Sequence, residues 1–346
     1  MKLSLPTLAF DIGTSSIKVL RLDRHGKNTF DIRLHLPTPE GSLQDGVIQD
    51  YGKLQPFLHE HIHKLPIYPH FNRATLALGE NSVIIKRIYC PEQKVEDLAE
   101  TLLFEAEQHF QHDIDELYFD YFLQPELKKD NLIPAVLVGA KKNIVEQYVS
   151  LIRSLGLKIN AVECSGFSLI NTMEAMGLPR IGLTLLLHIG ASSTQVILLE
   201  NASYVYNRLI PIAGNECTRH LATQLKIPFQ EAEQKKKDGA FDVAFMQSVY
   251  ESILHEIRMS LSFYFESKEM KEETRIQSIY LSGGSSAIKG LEQAFSEFFS
   301  LPVQGIDPFS TFSSLKNTRF PEESTNHRSF SIATGLAIRP SFFTVG

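Results

Sequence analysis

Residues 8–20 read LAFDIGTSSIKVL, and residues 185–197 read LLLHIGASSTQVI. At one constant offset, the residues that are identical between these segments include the pairs Ile12/Ile189, Gly13/Gly190, Ser15/Ser192, Ser16/Ser193 and Val19/Val196. In each segment an apolar run leads into small polar residues and a second apolar run follows, which predicts a β-hairpin. The repeat indicates that the chain contains two copies of one structural unit.

Both predicted turns consist of small residues, with GTSS at 13–16 and GASS at 190–193. Small side chains let an anion approach backbone N–H groups and hydroxyls closely. A single turn of this kind is most often only a tight connection between strands. Two copies on duplicated halves instead predict a cleft in which both turns contact the phosphates of one nucleotide.

A third element follows the second repeat. Residues 277–281 form an apolar run, small residues occupy 282–286, and a helical pattern is expected from Ala287 to Phe299. Paired glycines let the backbone lie close to a ligand, and a helix N-terminus provides N–H groups and a positive dipole. A strand, a glycine pair and a helix in this order favour a nucleotide site, although the pattern alone is weak.

The composition is that of a globular chain. The 346 residues include 34 Lys and Arg against 40 Asp and Glu, for a net charge of −6, and 43% are hydrophobic. This length favours two domains, and this composition argues against general disorder. The charge gives no broad attraction for nucleic acid or anionic lipid. Three cysteines without a C-x-x-C pair, and no long apolar run, predict a cytoplasmic protein with neither a disulfide framework nor a membrane span.

Together, the three elements resemble the actin-like ATPase superfamily. Its two phosphate motifs match residues 11–14 and 188–191, and its adenosine motif matches residues 281–284. Within the superfamily, the chain is similar to the PilM family of type IV pilus assembly proteins over nearly its whole length. The blocks that carry this similarity are residues 45–48, 104–108, 136–142, 155–158, 162–163, 210–214, 231–236 and 333–339.

The resemblance implies an α/β fold of duplicated actin-like, ribonuclease H-like domains with a cleft between them and an FtsA-like subdomain 1C inserted in the first half. The expected subdomains are 1A at residues 1–82 and 158–181 with 331–346 returning to it, 1C at 83–157, 2A at 182–212 and 275–330, and 2B at 213–274. Residue patterns within the insertion support it because they predict a small layer of strands and helices. The strands are expected at 83–89, 117–123 and 133–139, and the helices at 95–110 and 143–155.

ATP and Mg²⁺ are the ligands that the resemblance implies. Asp11 is expected to hold Mg²⁺, usually through water, and Lys18 to lie near the phosphates or to face solvent. Glu163 is the candidate general base, and Lys236 is expected either beside the adenosine or in a solvated basic stretch. The other expected nucleotide contacts are Gly13, Thr14, Ser15, Ser16, His188, Gly190, Ala191, Ser192, Ser193, Gly283, Gly284 and Ser285.

His188 is a departure from the superfamily, which usually has Asp at this position of the second phosphate motif. A carboxylate there helps to organise the metal and the attacking water. A neutral imidazole is a poor Mg²⁺ ligand, and a protonated one repels the ion. Ser165 likewise stands where PilM-like chains often have a second acid. We therefore expect nucleotide binding with slow or absent hydrolysis.

The resulting hypothesis is a cytoplasmic ATP-binding scaffold of the type IV pilus inner-membrane assembly platform. The resemblance implies that the N-terminal cytoplasmic peptide of PilN is its partner and recruits it to the inner membrane. Other pilus inner-membrane components and the motor would be reached indirectly, and self-association is left open. Neither nucleic-acid binding nor direct membrane insertion is expected.

Two other functions fit the same motifs. A small-molecule kinase of the superfamily would share them, but it needs a carboxylate near the γ-phosphate to accept the substrate's proton. An FtsA-like cell-division protein would carry a C-terminal amphipathic membrane helix, whereas this sequence stops at Gly346.

Overall fold

The computed structural model describes residues 7–23, 29–65, 73–92, 95–267, 276–314 and 326–339. Parts of the expected subdomains fall outside these ranges, including residues 340–346 of the segment expected to return to subdomain 1A. In chain order the strands are β1 Leu8–Ile12, β2 Ser16–Leu22, β3 Thr29–Pro37, β4 Leu43–Gln44, β5 Val47–Ile48, β6 Arg73–Leu78, β7 Val83–Pro91, β8 Leu117–Leu123, β9 Leu132–Lys141, β10 Lys158–Cys164, β11 Leu183–Ile189, β12 Thr194–Glu200, β13 Ser203–Ile210, β14 Ile276–Ser282, β15 Val303–Gly305 and β16 Ser313–Ser314.

The α-helices lie between these strands. They are α1 Tyr51–His63, α2 Val95–His109, α3 Lys142–Ser154, α4 Ser165–Ala175, α5 Gly214–Leu225, α6 Phe229–Lys237, α7 Gln247–Ser267, α8 Leu291–Phe299 and α9 Ser331–Ile338. Within the described ranges, none of these helices combines the length and the apolar character that crossing a bilayer requires.

One topology is repeated in the two large sheets. The first sheet has the order β10-β6-β1-β2-β3-β16, and the second has the order β15-β14-β11-β12-β13. In both, the central hairpin and the strand after it are antiparallel, and the strands on the other side are added in parallel. The hairpins predicted from the sequence repeat are therefore confirmed as β1–β2 and β11–β12.

Separate apolar cores cover the outer faces of these sheets. The first sheet packs against α1 and α3, with Phe10, Leu58 and Ile152 buried between them. The second sheet packs against α5, α7 and α8 around Leu187 and Ile257. Burial of large aliphatic and aromatic side chains is the main stabilising contribution in such layers.

Helices α4 and α9 pack together in the core between the two sheets. Leu169 on α4 and Leu336 on α9 are buried in this core. The two helices cross so closely at Gly335 that a Cβ atom there would overlap the carbonyl oxygen of Ser168. The packing of these two helices against each other therefore depends on a glycine at this crossing.

The elements predicted for residues 83–157 are confirmed. Strands β7, β9 and β8 form an antiparallel sheet in that order, and the bounds of all five elements agree with the prediction to within two residues. Helix α2 covers one face of this sheet through Leu98, Leu102 and Ala106. On the opposite face, Val136 is buried in the core between the large sheets. We call this three-stranded sheet with α2 the inserted layer.

The helix expected from Ala287 to Phe299 is wrong in its first part. The structure has a 3₁₀ helix at Gly284–Ala287, and α8 begins only at Leu291. Ile288 is extended, and Gly290 has a φ of +84°, so neither continues a right-handed helix. The glycine pair is therefore not followed directly by the N-terminus of an α-helix.

Candidate functional site

The two predicted turns have the same internal hydrogen bond. In the first, the N–H of Gly13 donates to the carbonyl oxygen of Ser16 at 3.1 Å, and in the second, the N–H of Gly190 donates to that of Ser193 at 3.0 Å. In each turn, a Cβ atom on the glycine would lie 3.1 Å from the carbonyl oxygen that accepts this hydrogen bond. Such a contact is closer than carbon and oxygen normally approach, so the turns fit glycine at these positions.

These turns lie against each other, although 178 positions separate their contacting residues. The Oγ1 atom of Thr14 is 3.4 Å from the Oγ atom of Ser192. Both hydroxyls can donate a hydrogen bond, and at this separation they can reach the same phosphate group. The duplicated segments thus meet at one cleft.

Each turn is held by the residues that follow the third strand of its sheet. After β3, Thr38 donates from Oγ1 to the carbonyl of Gly13 at 2.6 Å and from N–H to that of Ser15 at 3.1 Å. After β13, the N–H groups of residues 214–215 donate to the carbonyls of residues 190–191. The turns are therefore fixed by the protein itself, which favours ligand binding because little ordering is needed. Sequence reasoning missed Thr38, since a single threonine after a strand carries no local signal.

An ion pair flanks the first turn. Asp11 and Lys18 are paired across β1 and β2, and Lys18 Nζ lies 3.3 Å from Asp11 Oδ2. Lys18 Nζ also donates to the carbonyl of Ser16 at 3.2 Å. The side chain of Lys18 is only 11% exposed, so it faces the turn rather than solvent. This cation lies where a phosphate at the turn would be attracted.

Further positive charge surrounds His35, which is paired with Lys18 in the strand register. Burial is the largest cause that lowers the pKa of His35 to about 4, followed by the charges of Lys18, Lys237 and Arg33. Lys237 belongs to α6 and so acts on β3 from the other half of the molecule. A cleft with cations from both sides and a neutral histidine favours an anionic ligand.

At the second turn, His188 and Gln195 occupy the positions equivalent to Asp11 and Lys18. Burial, followed by the charge of Lys18, lowers the pKa of His188 to about 3, so the ring is neutral at physiological pH. Its Nδ1 atom is 3.2 Å from the hydroxyl of Ser282 on β14. Neutral imidazole leaves Asp11 without a second carboxylate from this position. Among the described residues, no three His, Cys, Asp or Glu side chains are grouped so that they could hold a metal ion.

The expected adenosine motif lies beside the second turn. Gly283 has a φ of +91°, and a Cβ atom there would overlap the backbone of Ile189 at the end of β11. Ser285 is buried and lies so close to Gly214 that a Cβ atom on that glycine would overlap its side chain. A polar cavity of about 380 Å³ follows, lined by parts of residues 286–292, 305–307 and 326–328. The motif therefore brings β14 and α5 together at the second turn.

Lys236 is buried in α6 and does not lie in a solvated stretch. Its Nζ atom donates to the carbonyl of Gly214 at 3.0 Å and to Oγ1 of Thr218 at 2.7 Å. It also forms an ion pair of 2.6 Å with Glu233. These bonds fix the N-terminus of α5 next to the second turn. A contact with adenosine remains a prediction.

Glu163 lies at the end of β10, separated from β1 by β6. Its Oε2 atom forms a 3.0 Å ion pair with Arg339, and its Oε1 atom accepts a hydrogen bond from Asn171 at 3.1 Å. Burial raises the pKa of this carboxyl above its usual value, and Arg339 opposes that shift. Two strand spacings amount to about 10 Å, which is therefore the approximate distance between β10, which carries Glu163, and β1, which carries Asp11. The general-base role therefore remains a prediction, for a carboxylate that is already engaged in an ion pair.

Comparison with known proteins gives a consistent set of relatives. The family model for "Type IV pilus assembly protein PilM" matches residues 9–341. The cell division protein FtsA of Pseudomonas aeruginosa is 24% identical over an alignment of 270 residues, and the match covers 67% of this chain and 63% of FtsA. The chain thus spans less than two thirds of that relative's length.

Two solved structures share the fold over almost the whole chain. The PilM-PilN type IV pilus biogenesis complex matches with a TM-score of 0.80 and 22% identity, covering 96% of this chain and 98% of that one. MreB5 of Spiroplasma citri bound to AMPPNP matches with a TM-score of 0.56 and 12% identity, covering 96% and 95%. These likenesses confirm the actin-like fold class.

Proposed function

This chain belongs to the family of the type IV pilus assembly protein PilM, and we propose that it is an ATP-binding scaffold that docks the N-terminal cytoplasmic tail of PilN. In this proposal ATP is held between the two turns and stabilises the closed arrangement of the two halves. Hydrolysis is weak or absent. The protein is recruited to the inner membrane through PilN, and other pilus components and the motor are reached indirectly.

Contact between the duplicated turns carries the nucleotide part of the proposal. Thr14 and Ser192 come from different halves and have hydroxyl oxygens 3.4 Å apart. The glycine at the start of each turn leaves space that a Cβ atom would fill, and Lys18 provides a cation beside it. These groups fit the phosphate chain of a nucleotide. The similar MreB5 structure was solved with AMPPNP, which supports the same class of ligand.

The arrangement fits phosphate better than it fits a tightly held metal. Mg²⁺ prefers several oxygen ligands in octahedral geometry and often keeps its waters. Asp11 would hold the ion through water, but its carboxylate is shared with Lys18, and His188 offers a neutral nitrogen. Glu163 is bound to Arg339. We therefore propose a site that retains ATP and hydrolyses it slowly.

The inserted layer supports the partner part of the proposal. The structure of similar fold is a complex of PilM with PilN. On the inserted layer, Tyr89 is 44%, Phe104 57% and Tyr118 46% exposed. Exposed aromatic side chains provide anchors for a short peptide, and its ordering limits the affinity. We propose that the PilN tail docks between subdomains 1A and 1C, where this layer meets the first sheet.

The proposal is tested by calorimetric titration of the purified protein with a synthetic peptide of the PilN N-terminus, with and without ATP and Mg²⁺. We expect saturable binding of ATP alone, binding of the peptide, and tighter peptide binding when ATP is present. A peptide of the same composition in scrambled order is the control and should not bind. Absence of ATP binding would remove the nucleotide part, and equal binding of both peptides would remove the partner part.

A further inference from the structure

Glu80 lies in a 3₁₀ helix, Glu80–Ser82, between β6 of the first sheet and β7 of the inserted layer. Its carboxylate accepts a backbone hydrogen bond from Gly166 and a side-chain hydrogen bond from Ser165, both at the N-terminus of α4. It also accepts from Nε2 of Gln195 on β12, and at 2.7 Å from Nδ2 of Asn207 on β13. One carboxylate therefore joins a helix of the first half to two strands of the second.

The two halves approach closely at this point. A Cβ atom on Gly166 would lie 3.0 Å from Glu80 Oε1 and would press against the side-chain amide of Gln195. Gln195 occupies the position in the repeat that Lys18 holds in the first half. In the first half, the ammonium group of Lys18 donates to the turn at residues 13–16, whereas in the second half the amide of Gln195 donates to Glu80. The second copy of the repeat thus has a hydrogen bond between the halves where the first copy has a charge beside its turn.

The same network continues into the inserted layer. Asn207 Oδ1 accepts from the hydroxyl of Tyr204 at 2.6 Å. The carbonyl of Tyr204 accepts from Nε2 of Gln124 at 2.7 Å, and Oε1 of Gln124 accepts from Arg87 on β7 at 2.8 Å. Hydrogen-bonded residues, namely Asn207, Tyr204 and Gln124, therefore connect the contact between the halves to the layer proposed to bind the partner.

We propose that Glu80 is a positioning residue for the cleft: its carboxylate holds the second sheet against the N-terminus of α4 and thereby fixes the separation of the two turns. The inference rests on the proposed function, because it assumes that the turns hold a nucleotide. Opening the cleft at this point separates Glu80 from Gln195 and Asn207, so loss of these bonds favours the open form.

The burial of Glu80 gives its role a dependence on pH. The thiol of Cys164 and the phenol of Tyr204 face it, and burial raises the pKa of both well above their usual values, so they stay neutral. Glu163 and Asp120 act on Cys164, and Arg87 acts on Tyr204 from the inserted layer. Burial also raises the pKa of Glu80 to about 7.

The sign of this dependence follows from the exposure of Glu80 in the open form. A solvated carboxyl has a lower pKa, so the closed form takes up the proton more readily. Closure therefore becomes more favourable as the pH falls through 7 and less favourable as the pH rises above 7. An amide at this position would remove this contribution to the pH dependence.

The first test is the dissociation rate of a fluorescent ATP analogue. We expect Glu80→Ala to raise this rate about ten-fold, because the hydrogen bonds from Gln195 and Asn207 across the contact between the halves are lost. Wild type should release the analogue more slowly at pH 6 than at pH 8, and this difference should be smaller in Glu80→Gln. Glu60→Gln is the matched control, because Glu60 is exposed and pairs with Lys64 on the surface. A rate for Glu80→Ala within two-fold of wild type, or an unchanged pH effect in Glu80→Gln, would overturn the proposal.

A second test does not need nucleotide. Hydrogen exchange of the Gly166 amide in the ligand-free protein reports directly on its bond to Glu80. We expect exchange about ten-fold faster in Glu80→Ala, with core amides such as Leu187 unchanged as the check that the variant folds. Unchanged protection of Gly166 would overturn the proposal. If the analogue bound to no variant, the proposed function would fail, while this measurement would still decide the role of Glu80.

Discussion

In the first half of the molecule, the turn at residues 13–16 is flanked by Asp11 and Lys18, which form an ion pair of 3.3 Å. In the second half, the equivalent positions hold His188, which burial keeps neutral, and Gln195, which bonds to Glu80. The two turns nevertheless share the hydrogen bond that closes each one. The side chains beside the turn thus differ in charge although the turns are closed in the same way.

Under the proposed function, this difference bears separately on the binding of ATP and on its hydrolysis. Small residues, backbone groups and hydroxyls suffice to surround a phosphate, and both turns have them. Metal-assisted hydrolysis needs carboxylates that organise the metal and the attacking water, and His188 does not supply one. The two turns are therefore expected to contribute similarly to binding through their hydroxyls and differently through their flanking side chains.

Lys18→Ala should have the largest effect. It removes the cation at the first turn and leaves the buried Asp11 unpaired, so we expect ATP affinity to fall about 100-fold. Gln195→Ala, the equivalent change at the second turn, should lower affinity only about five-fold, through the lost bond to Glu80. Calorimetric titration of both variants measures the contrast, with Lys18→Arg as the variant that keeps the charge. Equal losses at both positions would show that the flanking charges do not distinguish the turns.

His188→Asp should make the second turn resemble the first. The new carboxylate would help to organise Mg²⁺ and water, so we expect the rate of ATP hydrolysis to rise about ten-fold in the presence of Mg²⁺. His188→Asn is the control, because it is polar and uncharged and should remain at the wild-type rate. Phosphate release assays measure both. An Asp variant as inactive as the Asn variant would mean that the histidine does not limit hydrolysis.

Thr14→Val and Ser192→Ala test whether the two hydroxyls share one phosphate. Each removes one donor, and we expect ATP affinity to fall about five-fold in each single variant. Since the two oxygens are 3.4 Å apart, the loss in the double variant should be smaller than the product of the two. Strictly multiplicative losses would indicate two independent contacts.

The smallest expected effect is on the pH dependence of binding. Burial and Lys18 lower the pKa of His188 to about 3 in the free protein, and a bound phosphate would raise it by attraction. Binding then takes up a proton, so affinity should increase as the pH falls from 7.5 to 5.5, about three-fold more in wild type than in His188→Asn. Subtracting the variant removes the titration of the nucleotide itself. The same pH slope in both proteins would place His188 away from the phosphates.

The sequence predicted the parts of the molecule that local patterns determine. The repeated segments at 8–20 and 185–197 predicted two hairpins, and apolar spacing predicted the elements of the inserted layer, because both depend on neighbours in the chain. The α-helix expected from Ala287 begins only at Leu291, because Gly290 before it has a left-handed conformation. A helical pattern of apolar residues does not show such a conformation.

The contacts across the cleft could not be predicted in this way. Glu80 stands alone in the sequence between two strands, and its four donors come from three separate elements. Lys236 belongs to a run of three lysines that reads as solvated, yet it is buried against Gly214. Such roles depend on where distant segments meet, and a single sequence contains no local signal for that.

A crystal structure of the protein grown with AMPPNP and Mg²⁺ would test the central claim most directly. We predict that the phosphates lie within about 3 Å of donors on both turns, residues 13–16 and 190–193. A nucleotide bound to one turn alone, or elsewhere on the molecule, would contradict the account.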